Sequence, residues 1–177
     1  PIWVAAQAEN SARRVARLGH HLSATGGEDL QQYYDSELTK LGQSLDERLI
    51  SQCRSVYLAE SREKAWDDCE KYLHYMMSMY DKRYKEAGDM KAGAQIMSAP
   101  VIPPVGKLRN DKSVSFFGAP LIIGTPDDAI AEIERYQKAS RVTHLVMWMH
   151  MAGMPIEKVR NSMSLFATEV MPHFRKD

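Results

Sequence analysis

The first residues that could do chemistry lie where an apolar run meets a helix. Residues 2–6 are continuously apolar, and residues 7–11 read Gln-Ala-Glu-Asn-Ser before an amphipathic stretch begins. The free N–H groups of a first helical turn can bind a phosphate, and small residues let an anion approach the backbone. An ordinary strand-to-helix turn capped by Asn10 or Ser11 explains the same residues, and the residue types alone favour it. Glu9 counts against an anion site unless its side chain turns to solvent.

Three other groups of polar or sulfur-bearing residues have structural explanations. Gly124-Thr125-Pro126 could form a phosphate turn, but Thr125 as a cap and Pro126 at the first helical position account for it. The methionines around His150 could bind a soft metal, but alternating methionine on a strand is typical of core packing. The adjacent His20 and His21 face opposite sides of a strand, which disfavours chelation. We therefore predict no metal site.

These residues depend on elements that alternate between strand and helix. The patterns predict strands at 2–6, 20–24, 53–59 and 145–149, with a short extended segment at 121–123. Helices are predicted at 10–18 and 30–41, from Ser61 to a stop at Gly88, from Pro126 onward, and from Ile156 to a stop at Pro172. On the long helix the residues at 66, 69, 73, 76, 77, 80 and 84 are predicted to form one face, and those at 72, 75, 76, 79 and 80 are also interpreted as buried. Alternating elements predict a parallel α/β sheet, and four such units are half of an eight-stranded barrel.

Residues 89–117 break this alternation. They lack periodicity and contain three prolines and two glycines. A loop of this length inside a compact domain is usually functional or disordered. The sequence therefore predicts a loop that covers a pocket or has no fixed structure.

Composition narrows the class of protein. The 177 residues carry 23 basic and 23 acidic side chains, so no charge excess indicates nucleic-acid binding. No apolar run is long enough for a membrane helix, and no signal peptide opens the chain. Two cysteines without motif spacing predict reduced thiols in a cytoplasmic protein. The chain begins with proline, which predicts that it is part of a longer protein.

Three stretches resemble the luciferase-like flavin-dependent monooxygenases. They are residues 1–19, residues 56–65 more weakly, and residues 118–174 most strongly. The last stretch combines Gly124-Thr125-Pro126 with Gly153-Met154-Pro155 and the run Ser-Met-Ser-Leu-Phe-Ala at 162–167. The resemblance implies a TIM barrel, of which residues 1–177 would form the C-terminal half with a long loop at 89–117.

The resemblance also implies a cofactor and its site. Family members bind reduced FMN, or a deazaflavin in one branch, and most use molecular oxygen on a small organic substrate. The phosphate is expected at the turn after the first strand, mainly through backbone groups, and Thr25 is expected near the flavin edge. Carried over by position, the site comprises Ala6, Gln7, Ala8, Glu9, Ser11 and Ala12, with Ser11 as the best side-chain donor. The flavin does the chemistry while the protein supplies a dry, orienting pocket, and no catalytic side chain is assigned.

Two functions are compatible with these observations. The chain is either the C-terminal part of a flavin monooxygenase that acts with its first half, or a non-catalytic half-barrel that binds flavin or a partner. Four strands alone would leave two sheet edges and an apolar inner face uncovered. Under both alternatives we expect a dimer or other homo-oligomer, or pairing with the N-terminal half.

Overall fold

A parallel sheet with helices packed against it is the framework of the chain. The computed structural model describes residues 1–86, 102–111, 114–116 and 119–175. The strands are β1 (Trp3–Ala6), β2 (His21–Ala24), β3 (Ile50–Leu58), β4 (Ser115–Phe116), β5 (Ala119–Pro120), β6 (Ile122–Gly124) and β7 (His144–Trp148). The helices are α1 (Glu9–Arg17), α2 (Leu30–Lys40), α3 (Arg62–Glu86), α4 (Pro126–Ala139), α5 (Ile156–Leu165) and α6 (Met171–Phe174), with a 3-10 turn at Leu108–Asn110 and a π-helical segment at Phe166–Val170.

The long strand β3 organises the sheet. Its first half pairs in parallel with β2 and with β7, in a register that sets Ser51 opposite His144. Its last residues pair in parallel with β6, and β1 extends the sheet beyond β2. Four parallel strands, β1, β2, β3 and β7, therefore lie side by side, which confirms the predicted parallel α/β arrangement.

Strand β3 begins earlier than its pattern predicts. The expected start was residue 53, whereas the strand begins at Ile50. Ser51, Gln52, Arg54 and Ser55 are polar yet buried, so hydropathy alone does not mark this stretch as an interior strand. The segment predicted only as extended at 121–123 is also a strand, β6, because it pairs with the end of β3.

The helices bury their apolar faces in separate clusters. Helices α1 and α2 close one cluster over β1 and β2, which contains Ala12, Val15, Leu22, Leu38 and Ile50. Helix α3 closes another with Cys69, Leu73, Met76, Met77 and Phe116. Cys53 and Cys69 are buried free thiols. The predicted face through Cys69, Leu73 and Met77 is buried, whereas the prediction of Tyr75 and Met79 as buried is wrong, since they are 55% and 51% exposed.

Two further expectations concern segment ends. Pro172 was predicted to end the last helix, but the chain continues helically to Phe174. The proline is tolerated because a π-helical segment precedes it and Pro172 lies in the first turn of α6, where its missing N–H breaks no α-helical hydrogen bond. Of the predicted loop at 89–117, residues 89–101, 112–113 and 117 lie outside the described residues. Its described part contains buried Leu108, and Arg109 there is bonded to Glu70 of α3 at 2.9 Å.

The face of the sheet opposite α1 and α2 is partly open. Trp3 of β1, Val146 and Trp148 of β7 are 37%, 50% and 39% exposed. The Trp3 ring lies 5.1 Å from the ring of His21 and 5.3 Å from that of His144, so these side chains share one face. Across the described ranges, β1 pairs only with β2 and β7 only with β3. Helices within these ranges are all too short or too polar to span a membrane.

Candidate functional site

The turn between β1 and α1 lies at the carboxyl edge of the sheet. Ala8 is the N-cap of α1 and has an extended backbone, but its methyl group cannot cap a helix. Ser11 takes over this role from the first helical turn. Its hydroxyl accepts hydrogen bonds from the N–H groups of Ala8 at 3.1 Å and Gln7 at 3.3 Å, and donates to the Ala8 carbonyl at 2.7 Å. The turn is therefore closed by Ser11, one of the two caps considered from sequence.

The backbone of this turn presents donors at the start of α1. The first backbone bond of the helix runs from the Ala12 N–H to the Ala8 carbonyl at 3.0 Å. By helix geometry the N–H groups of Glu9, Asn10 and Ser11 have no carbonyl partner within α1. Together with the helix dipole, these groups make the turn chemically suited to an anion. The Ser11 hydroxyl hydrogen is already donated to Ala8, so its assignment as a phosphate donor stays a prediction.

The carboxylate of Glu9 does not neutralise these donors. Arg13, one helical turn further on, donates to it at 2.9 Å. The same guanidinium reaches Glu37 of α2 at 3.3 Å and lies 5.5 Å from the centre of the Tyr33 ring. The hydrogen bond to Glu9 raises the pKa of Arg13. Glu9 thus meets the condition that its side chain be directed away from the turn.

The loop after β2 packs directly on this turn. The N–H and the hydroxyl of Thr25 both donate to the Ala6 carbonyl, at 2.9 and 3.2 Å. A Cβ atom on Gly26 would lie 2.7 Å from the Gln7 carbonyl oxygen, so only glycine permits this approach. The structure therefore brings Thr25 next to the turn, although the two are separated by a whole helix in the sequence.

The predicted residues differ in what they expose. Gln7 and Glu9 are exposed and Ala8 and Ser11 half-buried. Ala6 and Ala12 are 2% and 0% exposed and belong to the core under α1. Only their backbone groups can take part in binding. Sequence reasoning missed Gln52 and Arg54 of β3, which form hydrogen bonds to Gly26 and Glu28 in the loop after β2. The sequence shows polar residues inside a strand, but this pattern does not indicate a role until their hydrogen-bond partners are known.

A second concave region lies at the carboxyl end of β3. It is a cavity of about 360 Å³ lined by Tyr57, Leu58, Ala59, Glu60, Lys64, Asp68, Lys158, Asn161 and Leu165. Lys64 donates to Asp68 at 2.8 Å, and Lys158 donates to its other oxygen. Burial raises the pKa of Asp68, but the two lysines outweigh this and leave it below its usual range. Asp68 is therefore held as a paired carboxylate between the two lysines. In the described ranges, groups of three or more potential metal ligands do not occur.

Comparison with known proteins gives this geometry a context. Residues 1–143 match the model of the luciferase-like monooxygenase family. The chain belongs to this family. Among curated proteins, none matches the sequence.

Solved structures support the family's barrel fold. The chain is similar to the oxygenating constituent of 3,6-diketocamphane monooxygenase from Pseudomonas putida, a type II Baeyer–Villiger enzyme solved with FMN. The two share 16% identity with a TM-score of 0.66, and the match covers 99% of this chain and 49% of that one. The chain is also similar to the coenzyme F420 dependent tetrahydromethanopterin reductase from Methanopyrus kandleri at 21% identity and TM-score 0.63, over 99% and 51%. A monooxygenase from Streptomyces bottropensis gives 21% identity and TM-score 0.59, over 98% and 48%.

The coverage defines what the chain is within the fold. It spans about half the length of these luciferase-like structures while almost all of it is aligned. The four parallel strands that lie side by side are half of the eight in a TIM barrel. The predicted half-barrel is therefore confirmed.

Proposed function

We propose that residues 1–177 form the C-terminal half of a flavin-dependent monooxygenase that uses reduced FMN and molecular oxygen on a small organic substrate. The observation that carries this proposal is the contact between the turn after β1 and the loop after β2. It sets a helix N-terminus beside a glycine-lined backbone at the carboxyl edge of the sheet, where ligands of parallel α/β folds bind. Membership of the luciferase-like family supports flavin as the ligand.

The residues at the turn fit a phosphate monoester. The N–H groups of Glu9, Asn10 and Ser11 supply donors, Ala8 leaves the approach open, and Glu9 is held by Arg13. Thr25 and Gly26 hold the neighbouring loop against Gln7 and would lie beside the cofactor. Bound reduced flavin would supply the oxygen chemistry. The chain's own contribution is to bind and orient the cofactor and to keep water from that edge of the sheet.

A deazaflavin is the alternative cofactor. Its support is the similarity to the reductase from Methanopyrus kandleri, which depends on coenzyme F420, whereas the Pseudomonas putida structure contains FMN. Both cofactors carry a phosphate, so the proposed turn would suit either. Titration with each in parallel decides between them.

The partner proposed for the open face is the N-terminal half of the barrel. The edge strands β1 and β7 and the exposed Trp3 and Trp148 support this proposal, as does the half-length coverage. The second candidate is a non-catalytic flavin- or partner-binding half-barrel that associates with a second copy of itself. The same open face favours it, and flavin-dependent turnover on addition of the N-terminal half would distinguish the two.

The test combines flavin titration with a charge placed at the turn. Ala8→Asp supplies a better N-cap, so α1 is retained, but its carboxylate occupies the space of the phosphate. We expect the affinity for FMN to fall by at least about tenfold, or about 1.4 kcal/mol, while the affinity for riboflavin, which lacks the phosphate, changes little. Fluorescence titration measures both.

The control puts the same charge at another helix start. Ser61, which caps α3 through the Lys64 N–H at 3.1 Å, is replaced in Ser61→Asp, and binding should be unaffected. Equal weakening in both variants would contradict the assignment of the flavin phosphate to this turn.

A further inference from the structure

The side chain of Arg54 is buried inside the fold although it is charged. It is 1% exposed, on the interior strand β3. One terminal nitrogen donates to Glu28 at 2.8 Å and the other donates to Glu132 of α4. The guanidinium carbon also lies 4.7 Å from the centre of the Tyr136 ring. A charge in such a place is strongly unfavourable unless its partners are held in fixed positions.

These partners close a ring of alternating charges. Arg135 of α4 donates to Glu28 and to Glu132, both at 2.8 Å. Glu28 is thereby held by two arginines from two different elements. It also lies in the loop that runs from Thr25 to Asp29, one residue before the N-cap of α2. The ring of Arg54, Glu28, Arg135 and Glu132 thus ties this loop to β3 and α4.

Gln52 fastens the same loop at a second point. Its side-chain nitrogen donates to the Gly26 carbonyl at 3.2 Å, and its side-chain oxygen accepts from the Tyr136 hydroxyl at 3.2 Å. Gln52 is 1% exposed, so neither bond competes with bulk water. Both attachments come from β3, whereas Gln7 contacts the loop from the turn after β1.

We propose that Arg54 and Gln52 are positioning residues that hold the Thr25–Gly27 loop against the turn after β1. Neither touches the space assigned to the cofactor. Arg54 holds Glu28, and Gln52 holds the Gly26 carbonyl. These two contacts keep Gly26 against the Gln7 carbonyl and Thr25 bonded to the Ala6 carbonyl. The role of this loop in binding rests on the proposed function. Its anchoring follows from the contacts alone.

Glu28→Gln tests the charged attachment and Gln52→Leu the neutral one. Glutamine keeps the shape of Glu28 but removes the charge that faces both arginines. Leucine at position 52 removes the contacts to Gly26 and Tyr136 together with a bond to the Cys53 carbonyl. The Thr25 N–H reports on the loop because it donates to Ala6 at 2.9 Å. We expect its hydrogen exchange to accelerate by at least about tenfold in both variants, relative to the core of the sheet. We also expect the ratio of the affinities for FMN and riboflavin to fall about fivefold, because a loosened loop no longer holds the turn in place.

The matched control is Glu70→Gln. Glu70 is 3% exposed and accepts from Arg109 at 2.9 Å, so it loses a comparable buried pair without contact to the loop. Urea denaturation should show a similar loss of global stability, with Thr25 exchange and FMN preference unchanged.

The outcomes separate the two ideas. Unchanged Thr25 exchange in both test variants would overturn the anchoring, and faster exchange with an unchanged FMN preference would overturn the positioning role. A wild-type chain that does not distinguish FMN from riboflavin would contradict the proposed function itself, and Thr25 exchange would still decide whether Arg54 and Gln52 hold the loop. Should Glu28→Gln not fold, Gln52→Leu, which leaves the charge ring intact, carries the test.

Discussion

Ser11 connects helix formation to binding at the level of a single hydroxyl. It replaces the cap that Ala8 cannot provide and so fixes the direction in which the first amides of α1 point. An anion at the turn would meet amides whose orientation is already set. The hydroxyl is therefore needed for the geometry of the turn whether or not it also contacts a ligand.

Replacing Ser11 isolates this effect. Ser11→Ala should lower the free energy of unfolding by about 1 kcal/mol, as the loss of a helix cap typically does. Urea denaturation measures the change. Thr125→Ala, which removes the bond from the Asp128 N–H at 3.3 Å, is the comparison at the start of α4 and should cost a similar amount. A Ser11→Ala chain as stable as wild type would show that the hydroxyl does not stabilise the turn.

Residues with local partners were predictable and residues with distant partners were not. Thr125 and Pro126 were assigned to a helix start from three consecutive residues, and the structure confirms them. Ser11 was identified as a possible cap for the same reason. Arg54 and Gln52 were missed because Glu28, Glu132 and Tyr136 lie far from them in the sequence, and no local pattern links the groups.

At the level of elements, β3 depends on α4 as well as on its neighbouring strands. Buried polar side chains on a central strand need partners, and α4 supplies Glu132 and Tyr136. This dependence also explains the error in the predicted start of β3. The stretch at 50–52 becomes strand because β2 and β7 pair with it, and its polar side chains are accepted because helix and loop groups meet them.

The contact between α4 and β3 should make stability depend on pH. Burial raises the pKa of Glu132, but the hydrogen bond from Arg135 and the charge of Arg54 outweigh it and leave the pKa below the ordinary 4.5. A carboxylate with a lowered folded pKa stabilises the protein above its unfolded pKa and loses that contribution as pH falls. We expect wild type to lose stability between about pH 5 and pH 3 more steeply than Glu132→Gln. Thermal unfolding across this range measures both slopes.

The comparison has a clear contrary result. Glu132→Gln should be less stable than wild type at pH 7, and the two should converge in acid because wild-type Glu132 is then protonated. Parallel curves over the whole range would mean that Glu132 does not contribute through its charge.

At the scale of the whole molecule, the open face of the half-barrel dominates solution behaviour. Trp3, Val146 and Trp148 leave an apolar surface on one face of the sheet. Surfaces of this kind are usually covered by a partner. The half-barrel could be predicted because alternating elements and matching stretches cover most of the chain. What covers its inner face could not, because no local pattern in the sequence identifies the partner of an exposed apolar face.

A charge on this face should reduce self-association. Val146→Lys introduces an ammonium group at the centre of β7, where the native side chain is 50% exposed. We expect the average mass in light scattering to fall toward that of a monomer, because a partner would have to bury the charge. Met163→Lys, at a position on α5 that is 52% exposed, is the matched control and should leave the mass unchanged. Equal masses for Val146→Lys and wild type would exclude this face as the contact surface.

The pairing of β3 with β7 also has a consequence for synthesis of the chain. Thr143, just before β7, accepts a hydrogen bond from the Ile50 N–H at 3.1 Å and donates one to the Ile50 carbonyl, across 93 residues of sequence. A ribosome adding about 5–20 residues per second needs about 5–20 s to cover that separation. Strands β1, β2 and β3 therefore emerge and pair before β7 has been synthesised, and the edge of β3 that later pairs with β7 stays unpaired. In that interval the nascent chain presents an unfilled strand edge, and a chaperone that shields it would act between translation of Leu58 and of Trp148.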